Sequence, residues 1–217
     1  MNPGSIFIEA AVESIGGALA ADAAGVDRIE LCGSLHDGGL TPSSGLMRRA
    51  LESVVKPIHV FIRPRTGSFV YDQHDVAVML GDIAEAGAAG APGVVFGALT
   101  AEGRVDRALM SELIASARPM TVGFHRAFDQ VVDQSDALET LVDLGIAVVL
   151  TSGGAALALD GAPQLRALVD QARGRIDILA GGGITPSNVM ALVERSGVRH
   201  VHGKAFAGMR EATQRMG

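Results

Sequence analysis

Tryptophan is absent from this sequence of 217 residues, and tyrosine occurs only once, at Tyr71. Aromatic residues make up 4% of the chain, so aliphatic side chains must fill the core. Cys32 is the only cysteine, which excludes a disulfide bond within the chain. No apolar run reaches the roughly 18 residues that a membrane-spanning helix needs, and the first residues, MNPGSIFIEAAV, lack the basic segment of a signal peptide. We therefore expect a cytoplasmic protein that does not contact the membrane.

Positive charge is scarce as well. The formal net charge is −6, which argues against a surface that binds nucleic acid or an anionic membrane. Lys56 and Lys204 are the only lysines among the 18 basic residues, and the others are arginines. We expect no nucleic-acid partner, and this unusual composition makes the position of each lysine informative.

Short apolar runs alternate with stretches rich in alanine and leucine, in a chain that is 48% apolar. The runs have the length of buried strands, and the stretches between them have helical spacing. The eight runs cover residues 6–12, 27–32, 58–64, 93–99, 120–128, 147–153, 176–184 and 200–206. Eight β-then-α units in about 200 residues predict a (β/α)8 TIM barrel of the α/β class. An open doubly wound sheet is the alternative, although it normally has fewer strands.

The last part of the chain bears on the completeness of the barrel. About eleven residues follow the last predicted strand, so the last helix must be short or missing. No repeat, low-complexity segment or linker interrupts the pattern. We expect a single TIM-barrel domain that covers residues 1–217.

Alternation along each strand predicts which side chains point into the barrel. In the first strand Ile6 and Ile8 face the helices, so Glu9 faces the interior. The same parity directs further reactive side chains inward, namely Glu30, Cys32, Arg63, His125, His202 and Lys204. Most of them lie near the carboxyl ends of the strands, where TIM barrels keep their chemistry. Buried charges are costly unless they are paired or used, so the alternative is a structural network in which Arg63 pairs with Glu9 or Glu30.

Glu9, Glu30 and His125 are the candidate catalytic residues. Two inward carboxylates near a histidine can share acid and base roles, or can hold a divalent metal ion together with it. The corresponding hypothesis is an enzyme that carries out proton transfer or lyase/aldolase-type chemistry on a small phosphorylated or carboxylated metabolite. A non-catalytic ligand-binding barrel is the alternative.

The loops after the last two strands carry a pattern typical of anion binding. Gly181, Gly182 and Gly183 expose backbone N–H groups, and His202 and Lys204 lie in the last strand. TIM barrels commonly bind phosphate at this place, and tight packing at the barrel rim is the alternative. Four residues near strands 3 and 5 are further candidates for binding an anionic substrate, namely Arg63, Arg65, Arg126 and Asp129. Pairing of these loop arginines with nearby acids is the alternative. We expect a small anionic ligand and no nucleotide cofactor.

Cys32 raises the question of a copper site. Cu(I) favours thiolate and thioether ligands, and this chain offers one thiol. His36 and Met47 are near in sequence, but no CxxC or MxxM spacing exists. Cys32 is therefore either a copper ligand or a small buried apolar residue.

Six motifs in the same order resemble the CutC family, which is named for copper homeostasis: DRIELCGSLHDGGLTPS, FIRPRTGSFVY, VVFGALTAEGRVD, FHRAFD, VLTSGG and AGGGI. The resemblance covers nearly the whole chain, and it implies a cytoplasmic barrel with a role in copper tolerance, copper-ion binding and homo-oligomers. The chain differs from the family pattern at Ala11, where members often carry a cysteine, and at Lys204, which replaces a small residue. The change at Ala11 disfavours a copper site with two thiolates from one chain.

Overall fold

The computed structural model describes residues 5–214, which form a closed barrel of eight parallel strands. The strands pair in sequence order, and β8 returns to pair with β1. Their bounds are β1 Phe7–Val12, β2 Arg28–Leu31, β3 Ile58–Phe61, β4 Gly93–Phe96, β5 Thr121–Phe124, β6 Val148–Thr151, β7 Asp177–Gly181 and β8 His200–Gly203. Each predicted run contains one of these strands. The closed order confirms the (β/α)8 barrel and excludes the open doubly wound sheet.

A helix follows every strand, as the βα repeat requires. The helices are α1 Ile15–Ala23, α2 Ser44–Ser53, α3 Gln73–Ala88, α4 Arg107–Ala117, α5 Gln134–Asp143, α6 Ala162–Ala172, α7 Val189–Ser196 and α8 Met209–Gln214. At 6 residues, α8 is short, as the length of the tail predicts. Among residues 5–214, no helix is both long enough and apolar enough to cross a membrane.

Strand side chains divide between two environments, as the alternation predicts. Outward-facing residues such as Ile8, Ile29 and Val60 join the helices in one large apolar core. The inward-facing carboxylates Glu9 and Glu30 are 1% and 3% exposed, so the barrel interior encloses charge. Burial of this kind is costly for an unpaired carboxylate. The neighbours of each glutamate therefore determine whether it is protonated or ionised.

His59 is buried in the barrel and lies beside Glu30 in register. A Cβ at Gly93, its partner in register on β4, would lie 2.4 Å from the His59 Nε2, so glycine leaves the space that the imidazole occupies. Burial and the charge of Arg28 lower the pKa of His59 to about 4, and the ring is neutral at pH 7. The His59 imidazole therefore adds no charge to the barrel interior.

Candidate functional site

A cavity of about 420 Å³ opens at the carboxyl ends of the strands. Its polar lining consists of Glu30, Cys32, His125, Arg126, Thr185, His202 and Lys204. Its apolar lining includes Leu35, Phe61, Phe69 and Leu150. The inward-facing strand ends thus converge on one space, in the position where TIM barrels carry their chemistry.

Glu9 lies under this cavity and is held as a carboxylate by two partners. Register places Arg28 on one side of Glu9 and His202 on the other. The Arg28 Nε donates to Glu9 Oε2, and the Glu9 Oε1 lies 2.7 Å from the His202 Nδ1. Burial alone would raise the pKa of Glu9, but the charge of Arg28 and the interactions with His202 and His59 lower it to about 2. Glu9 is therefore ionised throughout the neutral range.

Glu30 lines the cavity, and its protonation differs from that of Glu9. Burial raises its pKa to about 7, against the opposing charge of His202, and the negative charge of Glu9 adds to the rise. The Cys32 thiol donates to Glu30 Oε2 at 3.5 Å. The effect of burial therefore outweighs the nearby positive charge, and the carboxyl gains or loses its proton near neutral pH.

His202 connects the two glutamates. Its Nε2 lies 3.8 Å from Glu30 Oε2, on the side of the ring away from Glu9. One ligand atom from each of Glu9, Glu30 and His202 lies within 4.8 Å of the others, which is close enough for a metal ion to be held. Burial disfavours the charged imidazole, but the carboxylates of Glu30 and Glu9 together raise the pKa of His202. The sequence interpretation grouped the glutamates with His125, whereas the group that could hold a metal ion contains His202, because closure of the barrel brings β8 beside β1.

Cys32 is a buried free thiol beside this group. It packs against Phe61 and Val95 inside the barrel. Burial raises the pKa of the thiol well above its ordinary value, and the charge of Glu30 and the hydrogen bond to it act in the same direction. The thiol therefore carries its proton at neutral pH unless a cation displaces it.

His125 lies in the cavity wall among aromatic rings. Its ring centroid is 4.8 Å from that of Phe69 and 5.2 Å from that of Phe61. Burial and the charge of Arg63 lower the pKa of His125 to about 3, so the ring is neutral. The Ala127 N–H donates to Nδ1 at 3.2 Å, which places the ring proton on Nε2. That Nε2 has no hydrogen-bond partner among residues 5–214.

Arg63 is buried, but it does not line the cavity. Its guanidinium donates to the carbonyls of Asp37 and Gly39 at 3.3 Å and to that of Gly67 at 3.0 Å. It also stacks over Phe69 at 4.7 Å. The proposed pairing of Arg63 with a barrel glutamate is wrong, because Glu9 is paired with Arg28 instead. Arg63 joins the loops that follow β2 and β3.

The other loop residues predicted to bind substrate have partners within the protein. Arg65 forms an ion pair with Asp75 at 2.7 Å, outside the cavity. Arg126 lines the cavity and pairs with Asp129, also at 2.7 Å. Asp129 in turn accepts hydrogen bonds from the loop after β6, including one from the Ser152 N–H at 3.0 Å. Among these residues, only Arg126 is placed where a ligand in the cavity could contact it.

The glycine-rich loop after β7 borders the cavity through two of its three predicted glycines. Gly182 and Gly183 line the cavity and have φ values of +119° and +68°. Gly181 faces the barrel interior, where a Cβ would lie 2.6 Å from a methyl group of Leu150. Lys204 lines the cavity directly after the end of β8, and its Nζ donates to the Leu35 carbonyl at 3.0 Å.

Sequence reasoning missed three residues of this site. Arg28 lies two positions before Glu30 on the same strand, so parity could have identified it as inward-facing. Phe69 and Thr185 line the cavity from loops, where no periodicity indicates direction.

Comparison with known proteins gives consistent matches. The model of the CutC family matches residues 6–207. The human copper homeostasis protein cutC homolog is 47% identical over 196 residues, which cover 90% of this chain and 72% of the human protein. A CutC family protein of Mesorhizobium japonicum is 44% identical over 210 residues, which cover 97% of this chain and 80% of that protein.

Solved structures agree with these matches. The putative copper homeostasis protein CutC from Streptococcus agalactiae superposes with a TM-score of 0.88 at 32% identity, over 93% of this chain and 99% of that one. An aldolase superposes with a TM-score of 0.71 at 15% identity, over 97% and 96% of the two chains, which indicates a shared barrel fold only.

Proposed function

The chain belongs to the CutC family of copper homeostasis proteins, and we propose that it binds a copper ion where Cys32, Glu30 and His202 meet at the barrel mouth. The spacing of the donor atoms carries this proposal. Glu30 Oε2 lies 3.5 Å from Cys32 Sγ and 3.8 Å from His202 Nε2. Two ligands of one tetrahedral ion lie about 3.3–3.7 Å apart when the metal–ligand bonds measure about 2.0–2.3 Å. Glu30 Oε2 is therefore close to both other donors, and the thiol and the imidazole would have to move towards each other to share one ion.

The donor types fit copper. Thiolate is the softest ligand that a protein offers and selects for Cu(I), and imidazole also binds copper well. Ala11 lines the cavity next to Glu30 in register, so this position offers no second sulfur. The proposed site therefore combines one sulfur, one nitrogen and a carboxylate, rather than two thiolates.

Glu9 supports the proposed ligand set from behind. Histidine ligands commonly donate their second ring N–H to a carboxylate, which fixes the tautomer and orients the ring. The Glu9 carboxylate lies 2.7 Å from His202 Nδ1, and Arg28 keeps it ionised. The lone pair of His202 Nε2 then faces Glu30 and the cavity.

Spectroscopy of the copper-loaded chain tests this ligand set. X-ray absorption at the copper edge is expected to show one sulfur ligand and at least one imidazole nitrogen. The variant His202→Gln should lose the imidazole signal, whereas His36→Gln, which changes an exposed loop histidine, should keep it. A copper environment without sulfur, or one unchanged in His202→Gln, would overturn the proposal.

Proton transfer on a small organic anion is a second candidate function. The size of the cavity, about 420 Å³, favours it, because a metal ion alone would fill only a small part of that volume. Glu30 and His202 would then be the acid and base beside the ligand. Deuterium exchange at the carbon beside a carbonyl, followed by NMR across a panel of small keto acids, tests this candidate. Exchange that is absent for all of them, or that persists in Glu30→Gln, would exclude it.

The proposal also places the chain in the cytoplasm as a homo-oligomer, in line with the family resemblance. Light scattering on the purified chain measures the oligomeric state, and fractionation of the source cells measures the compartment. A monomer, or recovery outside the cytoplasm, would contradict the respective part.

A further inference from the structure

We propose that the cavity also binds a small organic anion, whose carboxylate or phosphate group lies between the Gly182–Gly183 loop and the ammonium of Lys204. This inference goes beyond the copper proposal and does not depend on it. A carboxylate and a phosphate share the chemistry that matters here, namely negatively charged oxygens that accept several hydrogen bonds.

The volume and lining of the cavity point to an organic ligand. Its 420 Å³ lies within the range of about 300–1,000 Å³ that is typical of small-molecule sites. The side chains of Leu35, Phe61, Leu150 and Ile184 offer apolar surface to the body of such a ligand. A few polar groups at the edge of an otherwise apolar space are the usual means of fixing orientation.

The loop after β7 offers hydrogen-bond donors at one end of the cavity. Both Gly182 and Gly183 have positive φ, and a Cβ at Gly183 would lie 2.7 Å from a methyl group of Leu157. Within residues 5–214, the backbone N–H groups of Gly183 and Ile184 form no hydrogen bond. Successive free N–H groups in a glycine loop without Cβ atoms form a concave site that suits an anion.

Lys204 supplies positive charge at the same end. Register pairs Gly181 on β7 with His202 on β8, and Gly183 and Lys204 each lie two residues beyond this pair, in the loops that follow the two neighbouring strands. The Lys204 Nζ donates to the Leu35 carbonyl, and it forms no ion pair within the described part of the chain. Arg126, by contrast, is neutralised by Asp129. Lys204 is therefore a cation at the cavity that lacks an acidic partner.

The two lysines of the chain allow a direct test. Selective ¹³C labelling of lysine gives side-chain NMR signals from Lys56 and Lys204 alone, and Lys56 is an internal control outside the cavity. Titration with inorganic phosphate in one experiment and with pyruvate in another should shift the Lys204 signal with saturation and leave the Lys56 signal in place. The anion that saturates at the lower concentration identifies the preferred chemistry. Linear shifts of equal size at both lysines would overturn the proposal, because they indicate general screening.

Variants separate this site from the copper site. Lys204 is exposed, so Lys204→Met should fold normally, and it should weaken anion binding by about tenfold or more. Lys56→Met is the matched control and should bind as the unmodified chain does. Lys204→Met should keep the copper affinity of the unmodified chain, because it changes none of the proposed copper ligands. Equal anion affinity in Lys204→Met and the unmodified chain would contradict the assignment of Lys204.

Discussion

The Nδ1 of His202 lies 2.7 Å from Oε1 of Glu9, although the two residues are separated by 193 positions in the sequence. Closure of the barrel between β8 and β1 creates this contact. The candidate metal site at the barrel mouth therefore depends on the complete set of strands, and its chemistry is coupled to the stability of the whole fold.

Replacement of Glu9 by glutamine should impair both the fold and the proposed copper site. The change leaves Arg28, whose side chain is 14% exposed, without its carboxylate, and loss of one partner from a pair that is mostly buried costs up to about 3–5 kcal/mol. It also removes the group that orients His202, for which losses of metal affinity of about 10–100-fold are typical. Urea unfolding and copper titration measure the two effects. Glu112→Gln changes an exposed glutamate and should alter neither. A Glu9→Gln chain as stable as the unmodified one would contradict the role of the pair.

Replacement of Glu30 by glutamine should stabilise the metal-free chain at pH 8. The folded-state pKa of Glu30 is about 7, against an ordinary value of 4.5, so folding favours its protonated form. Below pH 4.5 the Glu30 carboxyl is protonated in both the folded and the unfolded chain and does not affect stability. Its destabilising effect develops as pH rises from 4.5 to about 7. Removal of the charge should therefore raise the free energy of unfolding by roughly 2–3 kcal/mol at pH 8.

The same Glu30→Gln variant should bind copper more weakly, since it loses one proposed ligand. Gain of stability together with loss of binding is the behaviour expected of a functional residue. Thermal melting of both chains at pH 4.5 and pH 8 measures the difference. A variant less stable than the unmodified chain at pH 8 would show that the Glu30 carboxylate is structural.

His125 should make the protein sensitive to acid. Its folded-state pKa is about 3 and its ordinary value is 6.5, so the unfolded chain binds a proton in this range that the folded chain excludes. Stability due to His125 is complete above pH 6.5 and declines as pH falls from 6.5 towards 3. His125→Gln should therefore flatten the dependence of melting temperature on pH between 7 and 5. His74→Gln, at an exposed position, should leave the slope unchanged, and an equal slope in His125→Gln would refute the assignment.

Gly161 should be intolerant of a side chain. A Cβ at this position would lie 1.9 Å from the carbonyl oxygen of Ser152, in the loop that Asp129 also binds. Gly161→Ala should lower the free energy of unfolding by about 2–4 kcal/mol, because the backbone at Ser152 or at residue 161 must move to make room for the Cβ. Gly16→Ala is the matched control, since no atom lies within 4 Å of its Cβ and alanine favours helix α1 by about 0.5–1 kcal/mol. Equal stability of the two variants in urea would contradict the close approach.

Much of this site could be predicted from the sequence because a strand fixes direction by parity. Glu9, Glu30 and Cys32 were placed in the interior by alternation alone, and the contacts of both glutamates with His202 and of Cys32 with Glu30 confirm that placement. The glycine loop and Lys204 were placed at the mouth by the order of elements, and both line the cavity.

The contacts between the interior residues could not be predicted from strand alternation. Parity shows that a residue points inward, but register and closure determine which neighbour it meets. His125 was therefore grouped with the glutamates in place of His202. The guanidinium of Arg63 binds carbonyls of loops whose conformation has no sequence period, so its structural role became clear only from the fold.

The competition of the reduced chain with a Cu(I) chelator tests the copper proposal most directly. The unmodified chain should take one Cu(I) per chain from the chelator, and Cys32→Ser should bind it about tenfold more weakly or worse, a loss of at least about 1.4 kcal/mol. Equal binding by the two chains, or no binding by either, would contradict a copper site at Cys32.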